Sequence, residues 1–335
     1  MRKRGWIAGA VLVMTLALTA CGGNNGGDAG SAAQENGGQE NGQENREQET
    51  SGGEDGDSKD AAEGPVRIAT KPMVEQYILG EMLSELIEEN TDYEVEITKG
   101  IQGGTNNIHP AMEAGEFDLY PEYTSSGYTM VLDHDPAGVD DEEMFEQLQQ
   151  EYSEKFGMTW VGQYGFNNTF AVAVRKDIAE KYDLKTCSDL STVSGELIFG
   201  GNPDYIERED GFNVLCDTYG YDFKKVMDID IALKYQAMQN GEIDVTNGFT
   251  TDAQLSKDDY VVIEDDKKLQ VNYFCATVVR EDALEKYPGL EEALMLMENL
   301  LTDKEMAALN YAVEVDGRDE ADVAHEFLVD KGLVD

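Results

Sequence analysis

The chain has 335 residues and a formal net charge of −44. So acidic a chain is a poor partner for nucleic acid or for anionic lipid, and its length leaves room for more than one folded unit. The charge also favours solubility and weakly favours cationic ligands, although most of the carboxylates read as a solvated face.

Taken from the start, Arg2, Lys3 and Arg4 precede an apolar run from Trp6 to about Ala20. That run is too short for a confident membrane span and reads as a signal peptide, residues 1–20. It ends in Leu18-Thr19-Ala20-Cys21-Gly22, which matches a bacterial lipobox in which Cys21 receives the lipid. The alternative is an ordinary secretory signal with a chance cysteine. Residues 21–64 are rich in Gly, Asn, Gln, Glu and Asp and lack aromatics. Such a segment cannot bury enough apolar surface to offset chain entropy, so a disordered acidic tether is expected there.

From Pro65 onward the chain reads as alternating strands and helices. Val66–Thr70 is a short strand, and a helix follows from Glu75 to about Glu89, with Ile78, Met82 and Leu86 four apart. Tyr93–Thr98 alternates as a half-buried strand; a helix ending at Ala111–Ala114 leads to a strand at Phe117–Tyr120. Pro121 argues against a central strand continuing beyond that point. A helix at about 141–156 and strands at 158–163 and 169–175 come next. Helices near 210–219 and 231–240 precede a strand at 242–246. Helices at Leu290–Leu301, Lys304–Tyr311 and Glu320–Asp330 close the chain, the second behind the capping pattern Thr302-x-x-Glu305. The alternation predicts α/β lobes with mainly parallel sheets. Cys187, Cys216 and Cys275 form no metal-ligand spacing and read as small buried residues, a Cys187–Cys216 bridge remaining the lesser alternative.

An internal repeat points to a binding cleft. Residues 111–125, AMEAGEFDLYPEYTS, parallel residues 237–251, AMQNGEIDVTNGFTT. Each copy reads as a helix end, a Gly turn, a short strand and a loop at the strand's carboxyl end, where open α/β sheets bind ligands. The equivalent aromatics are Tyr123 and Phe249. The segments "YGFNNTFAVAVRK" (164–176) and "VNYFCATVVR" (271–280) read as outgoing and returning crossings between lobes, each with an aromatic at its start, Phe170 and Tyr273. The expected fold is therefore two-lobed, with residues 65–168 plus 275–335 in one lobe and 169–274 in the other. Four rings facing one cleft could hold a quaternary ammonium, which has no hydrogen to donate and only diffuse charge to offer.

The motifs "TKPMVEQYILGEML" (70–83), "GGT" (103–105), "GEFDLYPEYTSSG" (115–127), "YGFNNTFAVAVRKD" (164–177), "ERED" (207–210) with Gly211 following, and "GEIDVTNGFTTDAQL" (241–255) stand in a telling order. Together they resemble the lipid-anchored substrate-binding proteins of osmoprotectant ABC transporters, the glycine betaine/carnitine/choline type. The resemblance implies a periplasmic-binding-protein type II fold with two hinge strands and an aromatic cage at Tyr123, Phe170, Phe249 and Tyr273. It also implies that Lys71, Ser126 and Arg208 hold a betaine carboxylate, with Gln76 and Asn168 as polar wall. Lys and a bidentate Arg suit that anionic end.

The family commonly has tyrosines where this chain has Phe170 and Phe249, which leaves room for a bulkier trimethylated ligand such as carnitine or a histidine-type betaine, ergothioneine. The implied partners are the ligand, a membrane permease and its ATPase. The expected location is the outer face of the cell membrane, through lipid on Cys21, and the chain is expected to be a monomer without a cofactor. Plainer readings stand beside these: Lys71 as a partner of surface acids, Arg208 as a structural ion pair, Tyr120 and Tyr128 as core or rim. An enzyme is disfavoured. His109, His134 and His325 are the only histidines, Asp133-His134-Asp135 reads as a surface turn, and no GxSxG, P-loop or HExxH occurs. A metal-binding solute receptor and a sensory lipoprotein of the same fold remain alternatives.

Overall fold

The structure, a computed structural model, describes residues 64–207 and 211–335. The expected signal peptide, Cys21, the expected tether as far as residue 63, and Arg208 lie outside the described residues. The described chain builds two five-stranded sheets with helices against both faces. The first contains β1 (Val66–Ala69), β2 (Val95–Thr98), β3 (Leu119–Tyr123), β4 (Met158–Asn167) and β10 (Phe274–Arg280), in the order β2-β1-β3-β10-β4. The second contains β5 (Phe170–Arg175), β6 (Ile198–Gly201), β7 (Lys225–Asp228), β8 (Val245–Phe249) and β9 (Tyr260–Ile263), in the order β7-β6-β8-β5-β9.

The sheets are mixed, which corrects the expectation of mainly parallel strands. β1 runs parallel to β2 and β3, and β6 runs parallel to β7 and β8. β10 is antiparallel to β3 and β4, and β5 is antiparallel to β8 and β9. The cause is the double crossing. β10 enters the first sheet from the second, and β5 enters the second from the first, so each runs against its new neighbours.

The internal repeat has a structural counterpart. β3 and β8 take the same place, between a parallel strand and an antiparallel crossing strand. Each copy turns at a glycine with positive φ, Gly115 at 74° and Gly241 at 71°, a conformation costly for other residues. The aspartate of each Gly-Glu-x-Asp then ties the entry to the neighbouring strand. Asp118 Oδ2 accepts from Arg67 N at 2.9 Å, and Asp244 Oδ2 accepts from Ile198 N at 2.9 Å. These aspartates delay both strands, which begin at Leu119 and Val245 rather than at the predicted Phe117 and Glu242.

β3 also runs through Pro121, paired with Thr277 of β10 in the middle of the sheet. The proline is tolerated because β3 pairs with β1 only at Leu119, so the ladder on that side has ended before Pro121. The helix expected over Leu290–Leu301 stops at Leu294 and passes into a short turn at Met295–Met297. Beyond it, Asn299 N and Leu301 N donate to Gln163 O and Tyr164 O of β4, and this tertiary pairing overrides the local helical pattern. By contrast, the Thr302–Glu305 capping box forms in full at the start of the helix Asp303–Glu314. Cys187 and Cys275 are buried, Cys216 is half-buried, and all three are free thiols.

Candidate functional site

The residues nominated from sequence form two groups where the sheets meet. The first is aromatic and belongs to the second sheet. Phe170 opens β5, Phe249 ends β8, and the two are direct cross-strand partners. Their rings stack with centroids 4.8 Å apart, and Tyr205 lies 5.8 Å from Phe170. Phe249 is 39% exposed, a large apolar ring left facing solvent. A cavity of about 350 Å³ opens beside Phe170, with Val172, Tyr205, Leu215 and Ile263 among its walls.

The second group centres on Tyr123, at the carboxyl end of β3. Its side chain is only 5% exposed and packs in the core of the first sheet. The Lys71 ammonium stands 4.7 Å above the ring centroid. That ammonium is also paired with Glu122, whose carboxylate is fully buried and accepts from Thr105 Oγ1 at 2.7 Å and Tyr123 N at 2.6 Å. The Tyr123 hydroxyl donates to Glu75 Oε1 at 2.5 Å. Asn168 Nδ2 donates to the same oxygen at 2.9 Å, and Asn310 Nδ2 reaches Glu75 Oε2 at 3.3 Å. Asn310 Nδ2 also donates to Thr251 O at 3.0 Å, two residues beyond Phe249. Glu75 thus joins the first helix (Val74–Asn90), the strand end at Tyr123, the outgoing crossing at Asn168 and the helix Asp303–Glu314. Through Asn310 that junction reaches the loop that follows β8.

The other nominated residues stand nearby. Gln76 is fully buried; its Oε1 accepts from Lys71 N at 3.4 Å, while its Nε2 has no partner among the described residues. Tyr273 is half-buried against the core of the first sheet. Its N–H donates to Asn167 Oδ1 at 2.7 Å and its carbonyl accepts from Asn168 N at 3.1 Å, so the returning crossing is laced to the outgoing one. Ser126 is half-buried on the short helical turn after β3. Tyr120 and Tyr128 are core, as expected.

The electrostatics follow from burial. Desolvation pushes the Glu75 carboxyl above its ordinary range, and hydrogen bonds from Tyr123, Thr251, Asn168 and Asn310 offset part of that. The Tyr123 phenol is pushed well above its ordinary range, by desolvation first and by the neighbouring Glu75 charge second. A buried carboxyl group behind an electron-rich ring suits a cation, whose arrival nearby favours the ionised form. Sequence reading missed Glu75 and Glu122, although each stands inside a quoted motif. For Glu122 the available signal was a charge between Pro121 and Tyr123, but periodicity does not say what a charge pairs with.

The family described as "Substrate binding domain of ABC-type glycine betaine transport system" matches residues 64–330. The Helicobacter pylori (strain G27) protein "Ergothioneine transport permease/ergothioneine binding protein EgtU" is 41% identical over 271 residues, which are 81% of this chain and 48% of that protein. This chain therefore spans about half the length of that relative. The Listeria monocytogenes (strain 10403S) "Carnitine transport binding protein OpuCC" is 33% identical over 278 residues, 82% of this chain and 87% of that protein. Among solved structures, that of a glycine betaine/carnitine/choline ABC transporter superposes with a TM-score of 0.76 at 30% identity, covering 81% of this chain and all of that one. Apo YehZ from Escherichia coli gives 0.72 at 27% identity, covering 81% and 99%.

Proposed function

We propose, for a chain that belongs to the substrate-binding domains of ABC-type glycine betaine transport systems, that the meeting place of its two sheets takes up a quaternary ammonium compound. The fold is that of type II periplasmic binding proteins, and the family binds and delivers a solute rather than catalysing a reaction. On this reading, lobes of residues 65–168 plus 275–335 and 169–274 close over glycine betaine, carnitine, choline or a similar compound. Closure is hinge-like, about the two crossings. Tyr123, Phe170, Phe249 and Tyr273 supply rings to the ammonium. Lys71, Gln76, Ser126, Asn168 and Arg208 supply the polar wall and the partners of a carboxylate. A monomer held to the outer face of the membrane by lipid on Cys21 then hands the ligand to a permease driven by its ATPase.

The observation that carries this reading is the stacked Phe170–Phe249 pair at a strand's carboxyl end, with Phe249 facing solvent. An open ring face beside a stacked partner, at the strand end where α/β sheets bind ligands, is the surface that an ammonium needs. A trimethylated zwitterion larger than glycine betaine, such as ergothioneine, is favoured within the class by the cavity beside Phe170 and by the 41% identical relative.

The test is a thermal-shift panel of glycine betaine, carnitine, choline, proline betaine and ergothioneine. A ligand at about a hundred times its dissociation constant should add about 2.7 kcal/mol of stability. No shift with any of the five, alongside tight binding of an uncharged solute, would discard the quaternary ammonium reading.

A further inference from the structure

We infer that Glu75 is the positioning residue through which Tyr123 distinguishes a cationic ligand from an uncharged one of the same shape. The inference rests on the reading of the site just given and adds to it a residue outside the nominated set.

The Glu75 side chain is held by several elements. Its Oε1 receives the Tyr123 hydroxyl at 2.5 Å and Asn168 Nδ2 at 2.9 Å, while Oε2 receives Asn310 Nδ2 at 3.3 Å. Donors from a strand end, a crossing and a distant helix fix the carboxylate in one place. Glu75 is 3% exposed, so water screens the field of its carboxyl group poorly.

The consequence falls on Tyr123. A phenol that donates to a carboxylate gains negative charge on its oxygen and ring. The attraction of a ring face for a cation is electrostatic, so it grows with that charge and with the carboxylate behind it. The Lys71 ammonium, held by its ion pair with Glu122, already lies 4.7 Å from the ring centroid. Phe170 and Phe249 have no hydroxyl through which a carboxylate could act, so their contribution to discrimination is weaker. Asn310, which shares its amide between Glu75 and Thr251 O, extends the same junction to the loop after Phe249. The tuned ring is thereby held in register with the opposite wall.

The experiment uses two probe pairs, glycine betaine and choline, each beside the carbon isostere in which a tert-butyl group replaces the trimethylammonium. Calorimetric titration gives an affinity ratio, cation over isostere, for the native protein, for Glu75→Gln and for Tyr123→Phe. The native ratio should exceed one, and Glu75→Gln should lower it about tenfold while the isostere's own affinity moves much less. Tyr123→Phe keeps the ring and removes the hydroxyl, so it should reproduce the loss, and the double variant should add little to either. Equal losses for cation and isostere in both variants would make Glu75 a structural residue and overturn the inference while leaving the site intact. An unchanged ratio would overturn it too. Where native protein binds neither cation, the ratio is taken with carnitine and its tert-butyl isostere, and binding of no quaternary ammonium compound removes the reading and this inference together. Should Glu75→Gln fail to fold, the ratio measured on Tyr123→Phe decides.

Discussion

Phe170 and Phe249 are register partners across the β5–β8 ladder, and their rings stack at 27° from parallel with centroids 4.8 Å apart. Direct cross-strand neighbours are close enough for aromatic side chains to pack on one another, and the ladder itself presents the pair as one surface. Replacing Phe249 by Ala should therefore cost only about 0.5–1.5 kcal/mol of stability, the worth of an aromatic pair. Ligand binding should weaken by about 1–2 kcal/mol if the ring covers a desolvated ammonium. Urea unfolding and calorimetry separate the two; unchanged affinity would take Phe249 out of the site.

Tyr123 behaves differently from its repeat partner. The repeat predicts both rings at the cleft. The 5% exposure of Tyr123 within the core makes Tyr123→Ala a cavity-forming change of about 3–5 kcal/mol. Tyr123→Phe should lose about 1.5–3 kcal/mol, the cost of taking a donor from a charged acceptor. Chemical unfolding of the two variants checks the order, and a milder loss for alanine than for phenylalanine would contradict it.

Lys71 and Glu122 form a buried ion pair on the first sheet. Lys71→Met would leave Glu122 without its cation, at a cost of about 3–5 kcal/mol. Adding Glu122→Gln should restore most of that loss, because the uncompensated charge is gone. If Lys71 also holds a ligand carboxylate, the restored double variant should still bind glycine betaine more weakly than native protein. Restored stability with native affinity would assign Lys71 to the fold alone.

The Glu75 carboxyl, raised above its ordinary 4.5 mainly by burial, makes a pH prediction with a definite sign. Native protein takes up this proton at a higher pH than the unfolded chain does. The group's contribution to stability therefore grows as pH falls from above the raised value toward 4.5, and is lost as pH rises through the same window. Glu75→Gln cannot take up the proton. The melting temperature of native protein relative to the variant should rise on going from about pH 7 to about pH 5. A flat difference would mean that the buried carboxyl titrates at its ordinary value.

The free thiols should be sluggish. Burial pushes Cys187 up to about 12 and Cys216 up to about 11, and the fully buried Cys275 is raised well above the ordinary thiol range. Thiolate is the reactive form, so alkylation near neutral pH should be slow in the native state and fast after unfolding. Intact mass without reductant should show no loss of hydrogen from a Cys187–Cys216 bridge.

Much of this architecture was legible because it is written in short-range rules. The Thr302–Glu305 box needs only residues three apart. The Gly-Glu-x-Asp repeat announced two equivalent strand ends through a glycine that must turn left-handed and an aspartate that must meet backbone. Strand starts were misplaced for the same reason. That Asp118 is spent on Arg67 and Asp244 on Ile198 follows from neighbours about fifty residues away, where no periodicity reaches.

By itself the sequence determined the alternation of strand and helix, the two crossings, the repeat that places Tyr123 and Phe249 at matching strand ends, and the family motifs. All are local patterns, since hydrogen bonding and side-chain period act over a few residues. Only the tertiary structure decided which partners the buried charges take. Lys71 lies 51 residues from the Glu122 that takes its charge, and Glu75 lies 235 residues from the Asn310 that steadies it. Such partners meet because each isolated charge is costly in a dry interior and must be compensated wherever the fold brings an opposite charge or a donor within reach.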